Sequence, residues 1–317
     1  MNTVKKISAT AILGLTSVMT QAADVVLGAP AWPSATVTSS ILKIVLEENL
    51  GLDVALQSGS NSVIFEAMDR GTMQVHPEVW LPNQQNLHDK YVNDRGTVVQ
   101  NQNGIEAKQG VCITRAASEK YNITSIYDLT DPAKAALFDS NGDGKGEIWV
   151  GQPGAASTSV EIIKAKSYGY DETLDLVEMD TPVNWASLDV AAAAGRPYAF
   201  FCYTPHYVFA VHDLVFLEEP KHNADTWSVL QPSEDPDWLE KSNADSAWPT
   251  AYLYLHYAKS LEKEHPEAAI LLKNFKVNAD ILSALSYSMV VDKKDPGTVA
   301  EEWVANNSDI VESWLGQ

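Results

Sequence analysis

Beyond its first two dozen residues this 317-residue chain has no unbroken apolar run of about 18 residues, the length a membrane-crossing helix needs. The mature protein is therefore expected to be soluble. Basic side chains are scarce: 22 Lys and Arg stand against 42 Asp and Glu. Such a field repels nucleic acid and anionic membrane surfaces, so neither is an expected partner. It suits a cationic or zwitterionic ligand, and it equally suits solubility in a salty habitat. Signatures of catalysis are missing too. No G-x-S-x-G, H-E-x-x-H, G-x-x-x-x-G-K-[ST] or G-x-G-x-x-G occurs. There are two cysteines, Cys112 and Cys202, both in strand-like runs. A disulfide and a pair of buried thiols both remain open. No repeat and no low-complexity tract is present.

What the chain does have begins with a targeting segment. Lys5 and Lys6 form a positive start, Ile7–Val18 is apolar, and Thr20-Gln21-Ala22 offers small residues where a signal peptidase reads. Residues 1–22 are read as a cleaved signal peptide, and the mature protein as periplasmic. No Cys lies at the cleavage site to carry a lipid. Removing the segment leaves 20 basic against 42 acidic side chains, a net of −22.

Strand and helix patterns then alternate, an α/β signature. Asp24–Leu27 reads as a strand, followed by the loop Gly28–Pro33 and a helix capped by Ser34, with Val37, Ile41, Ile44 and Val45 at helical spacing and Gly51 at its end. Further strands are expected at 53–56, 73–75, 110–114, 147–150, 198–202 and 251–257. Helices are expected at 63–69, 125–137 and 157–167, with two more at the C-terminus. Residues 220–246 read as loop. Two α/β series with a late return strand point to two lobes and a cleft between them.

Three patterns carry chemistry. In Asp139-Ser-Asn141-Gly-Asp143-Gly-Lys145-Gly-Glu147, oxygen side chains alternate and glycine permits a sharp turn. This is the first half of a calcium loop: Asp139, Asn141 and Asp143 supply hard oxygens, the Lys145 carbonyl turns inward, and Glu147 closes the shell, as Val150 occupies the usual position of the closing Glu. The expectation is a structural Ca2+; an Asx-rich turn without metal is the plainer reading. The second pattern is aromatic. Trp32, Trp80, Trp185, Tyr203 and Tyr207 are expected in loops at strand ends, where ring faces attract a cation. A cage of them suits a quaternary ammonium, which has no hydrogen to donate; packing over core edges is the competing use. Third, Gly151-Gln-Pro-Gly154-Ala-Ala156-Ser157 turns into a helix, and the free N–H groups of Ala156 and Ser157 suit a carboxylate. His76 and Glu78, one residue apart, are expected to line the cleft.

These pieces together resemble the substrate-binding subunits of glycine betaine/proline betaine transporters. The resemblance covers essentially the whole mature chain: VWLP around Trp80, LTDPAKAALFDSNGDGKGEIWVGQPG, YTPHYV around Tyr203, and the helical C-terminal region. It implies a type II periplasmic binding fold with a hinge, one lobe from 23–109 plus 243–317 and the other from 110–242. It also implies a monomer that docks on a membrane permease of an ABC transporter. Trp80 matches the family's first cage tryptophan. The second position holds Ala155 and the third holds Tyr203, both departures, and Trp32 and Trp185 are placed to rebuild the box. Methylated ammonium, sulfonium and N-oxide compounds all become expected ligands. The alternative is an exported calcium-stabilised hydrolase using His76 or His206.

Overall fold

The structure is a computed structural model that describes residues 23–316. The expected signal segment lies outside them. Ten strands build one continuous sheet: β1 (Val25–Ala29), β2 (Val54–Ser58), β3 (Val75–Leu81), β4 (Val98–Gln100), β5 (Ile105–Thr114), β6 (Gly146–Gly151), β7 (Leu174–Glu178), β8 (Ala199–Thr204), β9 (Leu214–Phe216) and β10 (Ala251–Ala258). Their order is β2-β1-β3-β10-β5-β8-β6-β7, with β4 on β10 and β9 on β5. β1 runs parallel to both β2 and β3, and β6 parallel to both β7 and β8. Each parallel series arises because a helix returns the chain to the same sheet edge.

The two series meet at β5. Its first residues, Ile105–Ala107, pair antiparallel with β10, and Lys108–Cys112 pair with β8. One strand therefore belongs to both halves of the sheet, and the return strand β10 closes the first. The Cys112 and Cys202 side chains join β5 to β8 as a disulfide, with the Cα atoms 5.7 Å apart and a sequence separation of 90. This resolves the choice left open by the sequence. A closed loop of that size restricts the unfolded chain by roughly 4–5 kcal/mol in the entropic picture, an upper figure.

Separate cores sit against the two series. Val25, Leu27, Ile41, Leu42 and Trp314 belong to one, where the Pro33–Leu50 helix and the C-terminal helices cover the first series. Ile113, Ile148, Leu174 and Tyr170 belong to another. The long helix starts two residues earlier than expected. Pro33 supplies its fixed φ at the first helical position, and Ser34 lies in the first turn rather than capping it. Gly51, at φ +66°, ends the helix in the left-handed region.

Other boundaries shift for local reasons. The third strand is Val75–Leu81, so His76, Glu78 and Trp80 lie in the sheet rather than after it. Pro77 made this stretch look like loop. It is accommodated because the β3–β10 register shifts between Val79↔Tyr254 and His76↔His256, leaving an extra residue on β3 at Pro77–Glu78. The 125–137 segment is three short helical turns. The expected last helix is two, Pro296–Asn306 and Ser308–Trp314. A helix at Thr181–Ala193 carries Trp185.

Several ionisable groups are buried. Lys164 is fully buried and pairs with Glu219 at 2.7 Å, with Glu161 at 3.8 Å. Trp248 Nε1 donates to Glu161 at 2.6 Å. A buried pair is weak evidence of stabilisation, since desolvation consumes most of the attraction. Its effect here is to tie the segment entering β10 to the helix Ala156–Tyr168. His76 and His256 are cross-strand neighbours with no exposure. His76 Nδ1 accepts the Glu78 N–H, so its proton is on Nε2, which donates to Asn61 at 2.8 Å. Burial pushes the pKa of His76 and of His206 down to about 3, and that of His256 well below the usual histidine value.

These histidines stay neutral in the folded chain while the unfolded chain takes up protons below about pH 6.5. Each therefore removes stability as pH falls from about 6.5 toward its folded value, at up to ~1.4 kcal/mol per pH unit. The raised carboxyls of Glu78 and Glu161 act in the opposite sense, losing stability as pH rises through their folded values. Urea unfolding at pH 7 and pH 5 is expected to show lower stability at pH 5, with a smaller difference in His256→Gln. Stability equal at the two pH values would contradict this assignment.

Candidate functional site

The aromatic residues picked from the sequence converge where the two series face each other. Trp32 and Trp80 both point their indole N–H at one atom, Glu78 Oε1, at 2.7 and 2.9 Å, and Ser34 Oγ donates to the same oxygen at 3.0 Å. Trp32 precedes the first helix, and Glu78 and Trp80 belong to β3, so one carboxylate fixes two rings from different elements. Glu78 is 3% exposed. Burial raises its carboxyl above the usual range, and the Trp32, Trp80 and Ser34 hydrogen bonds pull it back. Its second oxygen, Oε2, is buried and has no hydrogen-bond partner among the described residues.

From Trp80 the ring system crosses to the second series. Trp80 meets Tyr203 of β8 edge-to-face, with centroids 5.2 Å apart. Tyr203 meets His206 at 4.9 Å, and His206 lies 4.7 Å from Trp185 and 4.5 Å from Tyr207. Trp32, Glu78, Trp80, Tyr203, Tyr207 and Trp185 therefore form one connected group, with His206 as the link at its far end. Trp185 sits deeper than expected. It is 8% exposed and packs on Trp149 and Phe200 from within a helix, not from a strand-end loop. Tyr203 likewise lies in β8 itself.

Sequence reading missed two members. Ser34 looked like a helix cap but donates its hydroxyl to Glu78. His206 looked like a candidate catalytic base. In the fold its Nδ1 accepts the Val208 N–H, and among the described residues its buried Nε2 has no hydrogen-bond partner. His76 is similarly held by Asn61 and backbone. The signal for His206 was its place directly after Tyr203-Thr-Pro, where its imidazole meets the Tyr203 ring edge-on.

The expected anion site forms a helix start. Ala156 is the first residue of the Ala156–Tyr168 helix, behind Ala155, whose side chain cannot cap it. Gly151, at φ +137°, makes the turn before it, where a Cβ would lie 2.1 Å from Thr158 Oγ1. Among the described residues the N–H groups of Ala156 and Ser157 have no partner in the turn, and Gln231 donates to the Ala156 carbonyl at 3.3 Å.

In the 139–147 loop the acidic oxygens face the loop's own backbone. Asp139 accepts from the Gly142 and Gly144 N–H groups, Asn141 Oδ1 from Asp143, and Asp143 Oδ1 from Lys145; Glu147 Oε2 accepts from Ser140. Gly142 and Gly144 adopt positive φ, as the sharp turn requires. Among the described residues no group of three or more His, Cys, Asp or Glu is gathered as a metal site. Lys145 Nζ reaches Asp175 at 2.8 Å.

Comparison with known proteins bears on what such a site is for. The glycine betaine/proline betaine-binding periplasmic protein of Salmonella typhimurium is 25% identical over 216 residues, 66% of this chain and 64% of that one. The chain thus spans slightly under two thirds of that relative's length. The protein of the same description from Escherichia coli is 23% identical over 250 residues, covering 75% of this chain and 72% of the relative. Among solved structures, lactococcal OpuAC in its closed-liganded conformation complexed with glycine betaine superposes with a TM-score of 0.71 at 22% identity, covering 92% of this chain and 98% of that one. An ABC-transporter choline-binding protein in complex with choline gives 0.70 at 19% identity, covering 92% of each chain. The fold is that of type II periplasmic binding proteins, as the resemblance implied. Residues 23–306 match the family model described as the substrate-binding domain of ABC-type glycine betaine transport systems, and the chain belongs to that family.

Proposed function

We propose that the protein is the substrate-binding component of an ABC importer and captures a small methylated onium compound of the glycine betaine class in the periplasm. One observation supports the reading above others: Trp32 and Trp80 are held by a single buried carboxylate and abut Tyr203 from the other half of the sheet. An onium head spreads its charge over methyl groups, so ring faces serve it better than hydrogen-bond acceptors, at about 0.5–2 kcal/mol per contact. Residues 23–109 plus 243–317 and residues 110–242 are the two proposed lobes. A ligand touching both favours the closed state, because only differential contact shifts such an equilibrium. The closed monomer then docks on the membrane permease.

Glycine betaine, proline betaine, choline, dimethylsulfoniopropionate and trimethylamine N-oxide fit the ring chemistry alike. Family membership and the rings both favour binding without catalysis, and mass spectrometry after incubation is expected to return each ligand unchanged. In the 139–147 loop, calcium is a second proposal. Each carboxylate oxygen that accepts an N–H retains a lone pair, and the oxygens alternate along a glycine-permitted turn. Asp139, Asn141, Asp143, the Lys145 carbonyl and Glu147 would hold the ion, which would brace the loop leading into β6.

Calorimetry on three variants tests the cage. Trp80→Ala is expected to lose at least tenfold in affinity, about 1.4 kcal/mol. Trp185→Ala is expected to lose affinity and also stability, since its ring is part of a core. Trp314→Ala, 1% exposed in the other core, should lower stability without touching affinity per folded molecule. Parental affinity in both Trp80→Ala and Trp185→Ala would remove the cage.

The cradle at Ala156 and Ser157 is tested by comparing glycine betaine with its methyl ester. A carboxylate on those N–H groups predicts weaker binding of the ester. Equal affinity would rule the cradle out. For calcium, chelation is expected to lower the melting temperature of the parent and not that of Asp143→Ala. No change with chelator, together with no metal by elemental analysis, would reject the site.

A further inference from the structure

Both indole N–H groups of the cage end on the same atom, Glu78 Oε1, and the Ser34 hydroxyl joins them. Three donors on one oxygen are more than packing requires. Indole N–H groups are as easily satisfied by backbone carbonyls, as that of Trp149 is by Met179 and that of Trp314 by Lys276. The other Glu78 oxygen faces a different environment. Glu78 and Asn101 line one small cavity of about 10 Å3, with Thr38, Tyr254 and Phe275 among its other walls. Glu78 Oε2 and Asn101 Oδ1 are both buried without partners. Both are acceptors, so neither satisfies the other while Glu78 is ionised.

No cation offsets this carboxylate: none of the salt bridges among the described residues involves Glu78. Tyr203 is held neutral by burial and by the Glu78 carboxylate, and His76 is neutral, so neither offsets the Glu78 charge. A buried carboxylate without a counter-ion is costly and persists only where something else supplies the charge.

We infer that Glu78 is the charge-selecting and ring-positioning residue of the cage: its carboxylate is the counter-charge for the bound onium, and it orients Trp32 and Trp80 through their N–H groups. This rests on the proposed onium site and deepens it. An N–H donating to an anion pushes electron density into the indole, which strengthens attraction of a cation to the ring face, as hydrogen bonds in series polarise one another. The arrangement makes a site that rejects a neutral molecule of the same shape, which has no charge to offset the buried carboxylate.

Glu78→Gln separates charge from geometry. The amide keeps an oxygen for Trp32, Trp80 and Ser34 and removes a buried charge, so the variant is expected to melt no lower than the parent. The probes are glycine betaine and 3,3-dimethylbutanoate, its isostere with carbon in place of the charged nitrogen. Glu78→Gln is expected to weaken betaine binding at least tenfold and leave the isostere within about twofold, so that the preference for the cation shrinks tenfold or more. Glu78→Asp, which keeps the charge but retracts it, is expected to bind less tightly yet retain the preference. Unchanged betaine affinity in Glu78→Gln overturns the inference, as does an equal loss of both probes or a loss of preference in Glu78→Asp, and in these cases the onium site stands. Failure of the parent to bind any methylated onium compound overturns the proposed function and this inference together.

Discussion

A carboxylate removed from water without a cation must find its compensation in hydrogen-bond donors, and the Glu78 side chain finds three on one oxygen. That constraint organises the site. It fixes the turn before the first helix through Trp32, the first helical turn through Ser34, and β3 through Trp80. The extra residue on β3 at Pro77–Glu78 is where the strand departs from regular pairing with β10. A bulge next to a functional side chain re-aims it, and here the irregular residue is the one that three donors meet.

The remainder of the fold holds this group against the second series. β5 is shared between the halves, the disulfide ties β5 to β8, and β8 carries Tyr203 to the face of Trp80. The Lys164–Glu219–Glu161 cluster with Trp248 anchors the chain's return into β10 on the helix that starts at Ala156. In the proposed site a carboxylate and two indoles come from the first series, and Tyr203, Tyr207 and Trp185 from the second.

Much of this was legible in the sequence. Alternating apolar patterns gave the α/β class, and Gly51, Gly142 and Gly144 marked turns that the backbone makes at positive φ. Trp32, Trp80, Trp185, Tyr203 and Tyr207 were identifiable as a set because rings cluster near strand-and-turn motifs. Their settings were less legible. Pro77 disguised a strand, because a bulge that tolerates proline depends on pairing with the distant β10. Trp185 read as loop because Thr181-Pro182 opens a helix just before it, and its burial depends on Trp149 and Phe200. The disulfide was undecidable for the same reason: pairing Cys112 with Cys202 requires the β5–β8 register. The contact that organises the site, Ser34 and two indoles on Glu78, is long-range in every pair but one. No local pattern encodes it.

The proposed site should distinguish a methylated cation from other solutes of that size. Thermal melting of the parent protein across glycine betaine, choline, dimethylsulfoniopropionate and trimethylamine N-oxide, with sugars and unmethylated amino acids as controls, tests it most directly. A ligand at 100 times its dissociation constant adds about 2.7 kcal/mol, a clear rise in melting temperature. The account predicts that rise for at least one methylated onium compound and for none of the controls. Stabilisation by a control solute, with no response to any onium compound, would contradict it.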